Sequence, residues 1–411
     1  MGSSTLLARF YSLTLLIVLG TVIKCTQSVH LYTSARSNRH IASNESGYVL
    51  AEAMASKQEV REYIEWVERV RARYERDYAG AEGGFRVPLS DGGSDDVDVQ
   101  AKDKVYSTLK MRVEKVITVN KVAGLANFES VQAAIDSVPK NNVQRTIIQI
   151  AAGVYREKVK IPKTKGYITL VGAGMNATTI TWNDTAKSSK TTFKSATFAV
   201  MAPGFVARNL AFENTAPAPP PGAVGAQAVA FQISGDRSAL YSCAFLGAQD
   251  TLYDHKGRHF FKDCWIQGSI DFIFGDGLSL YDGCVLYAID TPSGSLTAQK
   301  RKTASEDTGF SFLNCSITGR GVVFLGRAWG AYSRVVFLHS HIDTTIMPGG
   351  WNDWGIPSRQ KTSFYGEYKC WGRGADAHNR VAWAHQLTDS QATPFMSTSF
   401  IDGQSWLASI S

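Results

Sequence analysis

Apolar side chains change rhythm along this chain. Between Glu52 and Tyr78 they fall at three- and four-residue steps, at Val60, Ile64, Val67, Val70, Tyr74 and Tyr78, the period of one amphipathic helix. Its dense Arg and Glu residues form a solvated face. Residues 80–99 are rich in Gly and Asp and predict a flexible linker. Around Val116 the texture turns to short alternating runs. Ile117-Thr-Val119 comes first, then a helix predicted from Phe128 to Ser137, then the runs Thr146-Ile-Ile-Gln-Ile150 and Gly153-Val-Tyr-Arg-Glu157. This texture persists almost to the C-terminus. The last segment, Thr388 to Ser411, mixes polar and aromatic residues and is expected to pack on the outside of what the strands build.

The strands recur at a nearly fixed spacing. The step from Gln227 to Gln249 is almost the same as the step from Asp250 to Asp271. Short strands repeating at a step of this size predict a solenoid with stacked coils. In a parallel β-helix, residues one coil apart lie about 4.8 Å from each other. The spacing thus gathers Gln227, Gln249, Asp250 and Asp271 into one polar cluster. Other equivalent positions form a ladder: Leu210, Cys243, Cys264, Cys284, Cys315 and His341. Uneven steps between rungs leave room for loops that wall a cleft. One of them, residues 217–221, is stiffened by four prolines.

Charge and targeting signals narrow the setting. The 411-residue chain has a net charge of +7 and a pI near 9.0, which points to a negatively charged partner. No zinc knuckle or basic helix supports nucleic acid; an acidic polysaccharide is the other candidate, and the site chemistry below favours it. Arg9 precedes an apolar run from Tyr11 to Ile23, too short for a comfortable membrane span and suited to a signal-peptide core. Cleavage between Cys25 and His30 gives a signal peptide at 1–28, a helical extension with linker at 29–110, and a strand-rich body at 111–411. After that cleavage no membrane segment is expected. Asn44, Asn176, Asn183 and Asn314 begin glycosylation sequons. Once Cys25 has left, five cysteines remain, too few for a disulfide scaffold. Stacked coils admit a Cys264–Cys284 disulfide; buried free cysteines acting as small apolar fillers are the other reading.

Five stretches then carry a resemblance. Gly153-x-Tyr-x-Glu157, Gln227-Ala-Val, Gln249-Asp-Thr-Leu-Tyr253, Asp271-Phe-Ile-Phe-Gly275 and Leu325-Gly-Arg-Ala-Trp329 resemble, in order, the signature motifs of plant pectin methylesterases. The resemblance implies an all-β fold, a right-handed parallel β-helix, here preceded by a short N-terminal helical extension. It implies hydrolysis of galacturonic acid methyl esters with no metal, no cofactor and no Ser-His-Asp triad. By match to the motifs, Asp271 is the nucleophile, Asp250 the acid and base, and Gln227 and Gln249 the oxyanion donors. Arg327 pairs with Asp271, Trp329 and Phe272 offer faces to sugar rings, and Thr197 is a further substrate contact. These roles need one carboxyl kept protonated and its neighbour ionised. The expected setting is secreted and extracellular, in the plant cell wall. The expected partners are methyl-esterified pectin and a proteinaceous inhibitor, with the protein itself a monomer. Two departures stand out: Ala328 replaces a proline common in the family, freeing one φ angle, and only one predicted helix and a Gly/Asp-rich linker precede the motifs, so the inhibitor-like pro-domain of many plant members is expected to be absent.

Blander readings exist for each residue. Asp and Gln at solenoid turns often cap neighbouring backbone, Tyr155 and Glu157 read as structural support, and Trp351 and Trp354 either line the cleft or pack. Competing functions are another pectin-active β-helix enzyme, a glycosidase or lyase, and a catalytically silent wall-binding protein. A glycosidase would place its two carboxylates about 5 to 9.5 Å apart, a lyase of this architecture would cluster acidic calcium ligands, and a silent homologue would have lost an aspartate.

Overall fold

Short runs of β-branched and aromatic residues broken by Gly, Asp and Asn fold into short strands that turn corners, and here they coil. The computed structural model describes residues 115–220 and 222–409. The signal peptide, the helix at 52–78, the linker, Cys25 and the Asn44 sequon lie outside the described residues. Every strand pairing is parallel, and the strands stack into three ladders of a right-handed parallel β-helix. The helix expected at 128–137 is Val131–Asp136, capped by the Ser130 side chain. Glu157 accepts its first backbone N–H groups, from Val131 at 2.8 Å and Gln132 at 2.9 Å. Tyr155 is buried and donates to the Ala151 carbonyl. Both residues are structural support.

The ladder that matters for function runs through Val159–Ile161, Phe198–Val200 and Phe231–Ile233. It continues through the first halves of Leu252–Lys262 and Ile273–Asp282, then Gly294–Gln299, the end of Ser316–Ala328, and Trp351–Asn352. Inside the coils aromatic rings stack. Phe261, Tyr281, Phe312 and Phe337 form one column with centroids 4.5 to 4.7 Å apart. Outside, the C-terminal segment buries Ile401 and Trp406 against Val206, Ala239 and Leu280, as its composition predicts.

At one corner the chain enters the left-handed region once per coil, at Asn209, Ser242, Asp263, Gly283, Asn314 and His339. The next residue points inward, which gives the row Leu210, Cys243, Cys264, Cys284, Cys315 and Ser340. Ser340 takes the rung expected for His341: it accepts the Cys315 backbone N–H at 3.1 Å, and His341 faces outward and stacks on Trp371. Of the two readings, a Cys264–Cys284 disulfide or buried free cysteines, the structure shows the second: both are free and buried. Their thiols donate instead to the carbonyls of Leu240 and Phe261, each at 3.5 Å. In-register strands hold parallel Cβ vectors about 4.8 Å apart, wider than the roughly 3.8 Å between Cβ atoms in a disulfide. Among the described residues no helix is long and apolar enough to cross a membrane.

Candidate active site

The polar cluster assembles through strand register. Ala228 donates its backbone N–H to the Gln249 carbonyl at 3.1 Å, which sets Gln227 opposite Gln249. Asp250 donates to the Ile270 carbonyl at 3.0 Å, and Leu252 pairs with Ile273, which sets Asp250 opposite Asp271. The register between the Gln227 and Gln249 coils tightens by a single position where Ala230 and Phe231 both reach the Thr251 carbonyl, a pair facing one partner as in a β-bulge. Both aspartates sit in the left-handed region, Asp250 at φ 62° and Asp271 at φ 49°. Corners of this kind turn side chains out of the pleat, here toward the cleft.

Asp271 is held from three directions. Arg327 donates Nε–H to Oδ1 at 2.9 Å and Nη2–H to Oδ2, and Ser295 donates its hydroxyl to Oδ1. The guanidinium lies over the Trp354 ring, 4.4 Å from its centroid. Burial works against the Arg327 charge, but the hydrogen bond and charge of Asp271 outweigh it and raise its pKa. Asp250, across the strand gap, has no side-chain hydrogen-bond partner among the described residues. Burial, followed by the Asp271 charge, pushes its carboxyl well above the usual carboxylate range, with Arg327 partly offsetting both. Gln227 and Gln249 are half-buried, and their carboxamides are likewise without partners among the described residues. One carboxylate held by a cation, a second kept neutral and two free amide donors are the parts of a covalent acyl-transfer site.

Not every expected residue faces this cluster. Phe272 is fully buried in the core, because Gly268 has no side chain there; a Cβ on Gly268 would come within 2.2 Å of the Phe272 Cβ. Thr197 is also fully buried and donates its hydroxyl to the Glu213 carbonyl at 2.9 Å, so it supports the wall instead of facing the cleft. The apolar floor comes from other rings. Tyr253 and Phe274 stack at 4.2 Å, Phe274 approaches Trp329 at 6.1 Å, and Phe193 meets Tyr253 edge-on at 6.3 Å. Tyr253 and Phe274 each lie at the same short offset after a site aspartate, and that shared offset was readable in the sequence. Phe193 and Ser295 lie in segments with no motif and left no such signal. Trp351 packs under Gly326, and Trp354 lines the site beside Arg327. Lys300 holds its ammonium 3.8 Å above the Trp329 ring.

Comparison with known proteins agrees with the geometry. Residues 116–404 match the protein family described as Pectinesterase. Probable pectinesterase 8 of Arabidopsis thaliana is 51% identical over 292 residues, covering 69% of this chain and 74% of its own length. Among solved structures, the pectin methylesterase from carrot aligns with a TM-score of 0.67 at 36% identity, over 72% of this chain and 95% of that one. A pectin methylesterase in complex with a hexasaccharide aligns with a TM-score of 0.60 at 27% identity, over 69% and 96% of the two chains.

Proposed function

Because this chain belongs to the pectinesterase family and is a carboxylic ester hydrolase of pectin methyl esters, we propose that Asp271 is its nucleophile and Asp250 its general acid and base. A carboxylate oxygen of Asp271 attacks the C6 carbonyl of a methylated galacturonate. The carbonyl electrons move onto oxygen, and the oxyanion accepts N–H bonds from the Gln227 and Gln249 carboxamides. Collapse breaks the bond to methoxide, which leaves as methanol with the proton of Asp250. An anhydride between Asp271 and the sugar acid remains. Asp250, now ionised, takes a proton from water as that water attacks the anhydride. Asp271 departs as carboxylate, the galacturonic acid is released, and Asp250 is again protonated.

The observation that carries this reading is the asymmetry of the pair: Asp271 clamped by Arg327, and Asp250 buried without a counter-ion of its own. The aromatic floor offers flat faces for sugar rings. Secretion to a cell wall fits the apolar run at 11–23 and the exposure of the sequon residues Asn176, Asn183 and Asn314. The test is methanol release from esterified pectin, with viscosity followed to detect chain cleavage. Wild type should release methanol without shortening the chain, and Asp271→Ala and Asp250→Ala should each abolish release while remaining folded. A tenth of wild-type activity in either variant would sink the two-carboxylate mechanism.

A further inference from the structure

Ser295 lies one coil beyond Asp271, in the strand Gly294–Gln299, and is fully buried. Its Oγ accepts the Asp271 backbone N–H at 3.0 Å and donates its single proton to Asp271 Oδ1. One hydroxyl therefore ties backbone and side chain of the same residue. This tie matters because Asp271 is in the left-handed region, where the regular pleat of a strand does not fix the side-chain direction. The close approach depends on Gly294: a Cβ there would lie 2.1 Å from the Ser269 carbonyl oxygen.

The donors are unequally shared. Oδ1 receives both the Ser295 hydroxyl and the Arg327 Nε–H, whereas Oδ2 receives Arg327 Nη2–H alone. A carboxylate oxygen offers about two lone-pair sites, so Oδ1 is filled and Oδ2 keeps one pair free. We propose that Ser295 is a positioning residue of the esterase reaction, turning Asp271 so that Oδ2 is the atom that attacks the ester carbonyl. This rests on the reading of Asp271 as nucleophile. In the attack an Oδ2 lone pair forms the bond to C6 and the carbonyl pair moves to oxygen. Methoxide then leaves with the Asp250 proton, and the Ser295 proton stays on its own oxygen throughout.

The test compares Ser295→Ala and Ser295→Thr with wild type and Asp271→Ala, with rates scaled to the folded fraction seen by near-ultraviolet circular dichroism. Misplacing a reacting atom costs about 10- to 100-fold, so Ser295→Ala should lose that much in kcat with KM held within about twofold. The lost donor disfavours the ionised form of the pair, so the acidic limb of its kcat profile should move to higher pH. Ser295→Thr keeps the hydroxyl and should recover most of both changes. If Ser295→Ala does not fold, Ser295→Cys, a weaker donor of similar size, takes its place and should show the same changes. Wild-type kcat and acidic limb in Ser295→Ala, a loss confined to KM, or no recovery by Thr would each overturn the proposal. Activity surviving in Asp271→Ala would instead overturn the reading beneath it. An inactive Asp271→Ala beside an unaffected Ser295→Ala would remove the Ser295 role alone.

Discussion

A carboxyl buried beside a second carboxylate is poised for acid catalysis and is costly to keep. In the unfolded chain Asp250 titrates at the ordinary 3.8; in the folded protein burial and the Asp271 charge push it well above that. Between those two values the native state holds a proton that the unfolded state has shed, so native stability falls as pH rises through the window. Below about pH 4 both states are protonated and the penalty vanishes. Asp250→Asn keeps the shape and removes the titration. It should raise Tm at pH 7, lose that gain as the pH is lowered toward 4, and release no methanol. A gain that persists at pH 4, or a destabilised variant at pH 7, would mean that Asp250 is not stored at a cost. At this scale the sequence was legible where chemistry and spacing coincide, at Gln227, Gln249, Asp250 and Asp271, and Arg327 was legible only through its motif. It misled at Phe272 and Thr197, because a residue beside a motif inherits no orientation. A left-handed corner at Asp271 decides which neighbours face out, and a buried φ value leaves little trace in residue type.

The coil is the unit that repeats, and its cohesion comes from side chains stacked on their counterparts above and below. The near-constant step between Gln227 and Gln249 and between Asp250 and Asp271 was enough to predict that stacking, because equal spacing in parallel strands puts like on like. Inward position at a corner was harder to read. His341 looked like the next rung after Cys315, yet the structure places Ser340 there, one position earlier, since the rung follows the left-handed residue His339. The same corner made a Cys264–Cys284 bond look reachable by Cα distance, but both thiols remain free, on Cβ atoms spaced wider than a disulfide needs. Phe312 tests the cohesion directly. It is fully buried between Tyr281 at 4.6 Å and Phe337 at 4.7 Å, where an alanine would open a cavity that rigid strands cannot close. Phe312→Ala should cost about 3 to 5 kcal/mol in denaturant unfolding. A loss below about 1 kcal/mol would show that neighbouring coils collapse into the gap and that the column carries little of the stability.

Over the whole molecule the decisive property is the field offered to a polyanion. The net charge is +7; Arg9 and Lys24 belong to the expected signal peptide, so removing them leaves +5 on residues 29–411. Around the site the cations are not all neutralised locally. Lys300 sits half-buried on Trp329, where burial and then Lys302 lower its pKa despite Asp276, and Lys256 is exposed on the strand that follows Asp250. Partly de-esterified pectin carries free carboxylates, whereas fully esterified pectin is nearly neutral, so the protein field should act on the first and barely on the second. Raising ionic strength from about 0.01 M to 0.15 M shortens the Debye length from about 30 Å to 8 Å. KM for partly de-esterified pectin should then rise severalfold with kcat unchanged, while KM for fully esterified pectin stays nearly constant. Equal salt slopes on the two substrates would place the effect on the protein's own conformation. A flat KM on the charged substrate would mean that the positive charge serves solubility or wall retention and takes no part in drawing pectin to the cleft.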